Sequence, residues 1–176
     1  MKILAFGASN SQKSINKNLA TFIANLCTEK IAHSKLEIID LNDYECSIFS
    51  PERNEIHGIP EEIERFLETI ESSDLIIISF AEYNGSYTTA FKNIFDWVSV
   101  KKNNFLENKK MILLSTSNGA RGALTVLESA KMRLPKHGAK ILGSLHVPFY
   151  SSQFDENNNS TNKDTYNAIM QLVELI

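Results

Sequence analysis

Four short polar side chains, Ser9, Ser11, Ser14 and Asn16, fall within eight positions, at the exit of a short apolar run and ahead of a long helical pattern. Small hydroxyl and amide groups at that place suit an anion. The first turn of a helix carries unpaired N–H groups and a partial positive charge, so a phosphate seated there gains hydrogen bonds and a favourable dipole without requiring a lysine. The same residues also suit helix capping, for which one Ser or Asn is enough. Gly7 is expected to let the chain turn without a Cβ clash. Neither G-x-x-x-x-G-K-[ST] nor G-x-G-x-x-G occurs here, which disfavours a nucleoside triphosphate or a dinucleotide in the first turn. A mononucleotide phosphate is the leading guest.

Two further loops carry chemistry. Phe80-Ala-Glu-Tyr-Asn-Gly-Ser-Tyr87 puts Tyr83 in a tight turn marked by Asn84-Gly85. That suits stacking on a flat ligand ring, and equally a tyrosine that packs on the sheet edge. Ser115-Thr-Ser-Asn-Gly-Ala-Arg-Gly122 carries two glycines that permit close backbone approach to a ring, or a simple helix cap. Arg121 sits in this glycine-flanked loop and no helical pattern claims it, so it is the candidate for the anionic groups of a dinucleotide. Glu82 is read as a conformational or solvent-facing residue rather than a general base. Cys27 and Cys46 form no CxxC, and His33, His57, His137 and His146 are scattered singly, so no metal site is expected.

These loops must be positioned by the elements between them. Lys2 to Phe6 reads as a strand, and Ser14 to Ala32 as a helix with an apolar stripe at Ile15, Leu19, Phe22, Ile23 and Leu26. Leu36 to Leu41 is a second strand, leaving into an irregular segment through Pro51 and Gly58 to Pro60. Pro60, Glu61 and Glu62 start a helix whose buried face is Ile63, Phe66, Leu67 and Ile70. Asp74-Leu-Ile-Ile-Ile-Ser79 is a continuous apolar run, the pattern of a strand covered on both faces. After the loop from Ala81 to Ser86 come a helix from Thr88 to Val100 and a strand from Lys110 to Thr116. The loop from Ser117 to Gly122 leads to a helix from Ala123 to Leu134, broken by Pro135-Lys-His-Gly138, and to a fifth strand from Lys140 to Val147. A polar loop from Gln153 to Lys163 precedes a last helix from Asp164 to Ile176.

Strict alternation predicts an α/β three-layer sandwich on a five-stranded parallel sheet, in the flavodoxin-like order 2-1-3-4-5. Ligands in such sheets lie beyond the carboxyl ends of the strands at the topological switch, and the loops after strands one, three and four are the three already singled out.

The 176 residues are one domain's worth of chain, with no linker dividing residues 1–176. At 43% hydrophobic and 22% charged residues the composition is that of a soluble globular protein, and no apolar run reaches membrane length. Met1-Lys2 runs directly into a strand, so a cytoplasmic location is expected. A net charge of −3 with mixed signs offers no basic face for nucleic acid.

The first loop resembles the phosphate loop of the NADPH-dependent FMN reductase family, G-S-x-R-x-x-S-x-N-x-x-L-A, reading here Ala8-Ser-Asn-Ser-Gln-Lys-Ser-Ile-Asn-Lys-Asn-Leu-Ala20. Ala8 stands at the family's Gly and Ser11 at its Arg, which removes a charge-assisted contact that Lys13 is placed to replace. Glu82-Tyr-Asn-Gly-Ser86 and Phe91-Lys-Asn-Ile-Phe-Asp-Trp97 resemble the family's P-E-Y-N-G-S and L-K-N-x-x-D-W, with Ala81 at the proline; Phe91, Phe95 and Trp97 are read as helix core or subunit contact. The third loop is similar to S-x-x-x-G-x-x-G-G, with Ala123 at the last glycine.

The resemblance implies FMN as cofactor and NADPH or NADH as reductant. It implies that Ser9, Ser11, Ser14, Ile15 and Asn16 hold the phosphate. Ala81, Glu82, Tyr83, Asn84 and Gly85, with Ser115, Ser117, Asn118, Gly119 and Gly122, would then hold the ring. It further implies a small-molecule electron acceptor, such as a quinone, an azo compound or free flavin, and a homodimer or homotetramer. A flavodoxin-type electron carrier without nicotinamide turnover is the alternative, and a flavin-free module on the same fold a third reading.

Overall fold

The computed structural model describes all 176 residues. β1 (Lys2–Ala8) leads into α1 (Ile15–Lys30) and β2 (Lys35–Ile38). A 3-10 turn at Leu41–Tyr44 comes next, then α2 (Pro51–His57) and α3 (Glu61–Glu71). β3 (Leu75–Phe80) is followed by a hairpin of β4 (Glu82–Tyr83) and β5 (Ser86–Tyr87), and this by α4 (Thr89–Lys101). β6 (Lys110–Thr116), α5 (Leu124–Arg133), β7 (Lys140–Val147), α6 (Tyr150–Gln153) and α7 (Lys163–Val173) complete the order.

Five of the strands form one parallel sheet in the order β2-β1-β3-β6-β7, which is the expected 2-1-3-4-5 once the hairpin strands are set aside. Successive residues of a strand point to opposite faces. Leu4, Phe6, Ile76, Ile78, Met111 and Leu113 accordingly pack with α3, α4 and α5, whereas Ile3, Ala5, Leu75, Ile77, Ile112 and Leu114 pack with α1 and α7. Every residue of β3 is buried, as a central strand covered on both faces requires.

Three local expectations are corrected. The segment up to Pro60, read as irregular, contains α2: the Ser50 hydroxyl accepts from the Arg53 N–H at 3.2 Å, Pro51 opens the first turn, and Gly58 at φ 73 ends it. None of its residues is buried, so no apolar stripe betrayed the helix. β2 stops at Ile38 rather than Leu41, because the Asp40 carboxylate takes the Asn42 N–H at 2.9 Å and starts the 3-10 turn that buries Leu41 and Tyr44. Gly7 lies inside β1 and not in a turn. A Cβ there would stand 2.5 Å from Lys17 N and 2.9 Å from Lys17 Cα, so this glycine lets the first turn of α1 seat against the strand.

Candidate functional site

The sheet order reverses between β1 and β3, and the polar loops following β1, β3 and β6 meet there around an open cleft of about 490 Å³. Ser9, Ser11, Lys13, Ser14, Ile15 and Asn16 line it from the first loop, Ala81, Glu82 and Tyr83 from the second, and Thr116, Ser117 and Asn118 from the third.

The first loop is built of nested turns. Ser9 Oγ accepts from the Ser11 N–H at 3.1 Å, Ser11 Oγ from the Lys13 N–H at 3.3 Å, and Ser14 Oγ, the N-cap of α1, from the Lys17 N–H at 3.1 Å. Each serine oxygen is thus used as an acceptor, while its rotatable O–H stays free to donate. The backbone N–H groups of Ile15 and Asn16, in the first turn of α1, have no protein partner. Three hydroxyls and two helix N–H groups make a donor-rich cradle with no acidic residue in that turn. Its cationic neighbours differ in availability. Lys17 is paired with Asp40 at 2.6 Å, and although burial alone would raise the Asp40 carboxyl, its bonds from Lys17 and Asn42 hold it below the ordinary carboxylate value. Lys13, exposed at the cleft, makes no salt bridge. A dianionic phosphate fits this donor set.

Asn16 does something other than what its type suggested. Its side chain is 3% exposed: Oδ1 accepts from Ser79 Oγ at 2.7 Å and from the Thr116 N–H at 3.1 Å, and Nδ2 donates to the Thr116 carbonyl at 3.1 Å. The amide therefore bolts α1 to β3 and β6, and only its backbone N–H remains for a phosphate.

In the second loop Asn84 and Gly85 lie at φ 53 and 74, the double positive φ of a tight hairpin turn, and both are exposed at its tip, away from the cleft lining. Tyr83 is 54% exposed and borders the cleft. Its neighbour Tyr87 is turned inward, packing on Phe80 and Phe91 with centroids 5.8 and 5.3 Å apart; burial pushes its phenol up to about 12 against the pull of Arg133. The Glu82 carboxylate accepts from the Val126 N–H at 2.9 Å. Val126 is in the first turn of α5, whose own N-cap, Ala123, has no capping side chain and sits at φ 59. Glu82 thus caps a helix belonging to the neighbouring loop and fixes the two loops to each other.

The third loop divides in the same way. Ser115 is fully buried and donates to the Gly122 carbonyl at 2.8 Å, so it braces the loop from beneath. Asn118 lines the cleft, yet its Oδ1 accepts from Ser151 N and Oγ at 3.0 and 2.8 Å. Gly122 is required by packing, since at φ 54 a Cβ would lie 2.7 Å from Pro148 N and Val147 C. Ser117 and Gly119 are joined through the Gly119 N–H, while the N–H groups of Asn118, Ala120 and Arg121 have no protein partner. Arg121 is exposed and bonds Thr125 Oγ1 at 2.9 Å, outside the cleft lining. Thr116, which sequence reasoning left out, lines the cleft while its hydroxyl donates to the Val147 carbonyl at 2.7 Å; its place at the end of an apolar strand was the available signal. Of the helix motif after the hairpin, Trp97 is core, 1% exposed, and with Asn93 it anchors the chain after β2, each donating to the Ser47 carbonyl.

Fold and cleft together define a flavodoxin-like α/β protein with a donor-rich cradle at the topological switch. The chain belongs to the NADPH-dependent FMN reductase family, whose model matches residues 1–153. It is 27% identical to an NAD(P)H:quinone oxidoreductase of Solanum tuberosum over 69% of this chain and 61% of that one. It is 25% identical to NADH-dependent flavin reductase subunit 2 of Lactobacillus johnsonii over 96% of this chain and 91% of that one. The matched part is about three fifths of the plant quinone oxidoreductases' length. Among solved structures, FerB, a flavoenzyme NAD(P)H:(acceptor) oxidoreductase from Paracoccus denitrificans, superposes with a TM-score of 0.78 over 98% of this chain and 93% of that one at 20% identity, a likeness of fold. No helix is long and apolar enough to cross a membrane.

Proposed function

We propose that this protein is an FMN-dependent NAD(P)H oxidoreductase that serves a small acceptor such as a quinone, an azo compound or free flavin. The observation that carries the reading is the cradle of three hydroxyls free to donate and two unpaired helix N–H groups in an open cleft that the exposed Tyr83 also lines. FMN, when bound, supplies the two-electron chemistry, and the protein's tasks are to hold and orient it.

Ser9, Ser11 and Ser14 would hold the phosphate through their hydroxyls, and Ile15 and Asn16 through backbone N–H groups. Lys13 would supply the charge that an arginine at position 11 would otherwise give. Tyr83 would flank the ring, and the free N–H groups of Asn118, Ala120 and Arg121 would face its carbonyl oxygens. No side-chain acid or nucleophile is needed, which agrees with the structural roles of Glu82 and Asn118. A homodimer or homotetramer belongs to the same reading.

Purified protein should be yellow or take up FMN with micromolar or better affinity, and should oxidise NADPH or NADH steadily when a quinone is present. FMN binding without nicotinamide oxidation would identify an electron carrier, and failure to bind FMN would remove the reading.

A further inference from the structure

We propose that Phe149 is the side chain that receives the flat ring of a neutral aromatic electron acceptor at this site, an inference that rests on the FMN reading of the cleft. Phe149 follows β7 and has φ 51 and ψ 48, left-handed backbone that a bulky residue avoids and that Gly or Asn adopts readily. The backbone has a reason for that shape. It turns three successive N–H groups onto the loop after β6: Phe149 N to Gly119 O at 3.3 Å, Tyr150 N to Ser117 O at 3.2 Å and Ser151 N to Asn118 Oδ1 at 3.0 Å.

Those bonds explain the conformation but not the side chain, since they would form equally with Gly or Asn at this position. Phe149 is 49% exposed, whereas the adjacent Tyr150 is buried and stacks on Phe154 with centroids 4.6 Å apart and planes 7° from parallel. An aromatic residue in unfavourable backbone and left half in water gains less from the fold than a buried ring would, so a ligand is the natural beneficiary. Its position fits. Of the three exposed aromatic residues, Tyr83, Phe149 and Tyr166, the first two stand on loops beyond the carboxyl ends of the strands: Tyr83 lines the cleft, and Phe149, outside that lining, lies on the other flank of the loop that contains Ser117 and Asn118 and is tied by its backbone to Gly119. The groups tied to residues 149–151, namely Ser117, Asn118 and Gly119, are uncharged, which suits a neutral quinone or free flavin ring better than an anionic dinucleotide.

The test uses FMN-loaded protein and three variants. Phe149→Asn keeps the left-handed backbone and removes the ring, Phe149→Leu keeps apolar bulk, and Phe149→Tyr keeps the ring. Phe149→Asn should melt no lower than the parent, retain FMN, and leave the KM for NADPH and for ringless ferricyanide unchanged. Its KM for a benzoquinone, for riboflavin or for both should rise about two- to tenfold, the range expected for one lost aromatic contact. Which acceptor responds identifies the ring that the site takes. The quinone dissociation constant, titrated calorimetrically against oxidised protein without nicotinamide, should weaken in parallel, Phe149→Leu should behave like Phe149→Asn, and Phe149→Tyr should restore both values. Unchanged constants for quinone and riboflavin in FMN-loaded Phe149→Asn would overturn the inference alone. So would a loss confined to NADPH, or a change of oligomeric state with unchanged constants, which would mean that the ring covers a second copy of the chain. A parent protein that takes up no FMN would overturn the cleft reading first.

Discussion

Replacing Asn16 by Ala separates a structural role from a ligand role more sharply than any other change in the cleft. The substitution removes three hydrogen bonds and strands their partners: the hydroxyl of Ser79, 0% exposed, and the N–H and carbonyl that Thr116, 1% exposed, directs to the amide. A buried polar group left unpaired costs about 1–3 kcal/mol. The Ser79 hydroxyl can rotate and water can reach part of the gap, so the lower third of the summed range applies, about 3–5 kcal/mol. That is a large share of the roughly 5–15 kcal/mol by which such domains are stable. At about 2–4 °C per kcal/mol for a chain of this size, the melting temperature should fall by roughly 6–20 °C. Thermal and urea melts of FMN-free Asn16→Ala provide the assay, with an FMN titration of the folded fraction beside them. Asn16→Asp should also destabilise, because one carboxylate oxygen would face the Thr116 carbonyl. An FMN-free Asn16→Ala that melts within about 2 °C of the parent, a shift of no more than about 1 kcal/mol, but binds FMN at least tenfold more weakly would refute the bolt and return Asn16 to the phosphate.

Ser14→Ala should show the complementary pattern: FMN binding weaker by about tenfold to a hundredfold, as a lost bond to a charged oxygen implies, with only about 1 kcal/mol of stability lost with the N-cap; calorimetric titration and a melt read the two. Tyr83→Ala should weaken FMN several-fold and brighten bound-flavin fluorescence, Tyr83→Phe should preserve both, and Tyr87→Ala should lower the melting temperature instead because that ring packs on Phe80 and Phe91. Glu82→Ala should destabilise by about 1–2 kcal/mol through the lost cap on α5 and weaken FMN by loosening the paired loops; Glu82→Gln, which keeps an acceptor for Val126 N–H, should recover most of both in the same measurements.

The fold was legible because its signals are strong and redundant. The unbroken run in β3 leaves only a strand covered on both faces, and regular alternation of strands and helices then restricts the sheet to a few orders. α2 escaped because a helix that buries nothing has no stripe, although Ser50-Pro51 and Gly58 marked its ends. The loops that line the candidate site were equally legible, since composition concentrates Ser, Asn and Gly beyond β1, β3 and β6. The direction of each side chain was not. Asn16 and Ser115 have the types that ligands require, yet both are buried and spend their side-chain hydrogen bonds within the protein, while Asn118 and Glu82 line the cleft but each commit an oxygen to a neighbouring element; composition cannot distinguish a group facing a cleft from one facing the neighbouring strand. Glycine carried the same ambiguity: Gly7 and Gly122 are demanded by backbone approaching within 3 Å, not by a turn at the one or a ring at the other.

The bonds made by these polar groups have a common consequence. Asn16 joins the first loop's helix to β3 and β6, Glu82 joins the second loop to α5, and Asn118 joins the third to Ser151. The Thr88 hydroxyl, which donates to the Ala8 carbonyl at 3.0 Å and accepts from Phe91 N–H at 3.2 Å, joins the start of α4 to the end of β1. Each bond crosses from one strand's loop to the next element, so the cleft walls are held relative to one another by the protein itself. A ligand entering such a cleft orders few protein groups, and more of its contact energy appears as affinity. Under the FMN reading this would offset the arginine missing at position 11: the donors are individually weaker than a guanidinium, but hydroxyls and N–H groups already in place lose little entropy on binding. The same residues therefore weaken a ligand assignment made by type and strengthen the assignment of the cleft as a preformed binding site.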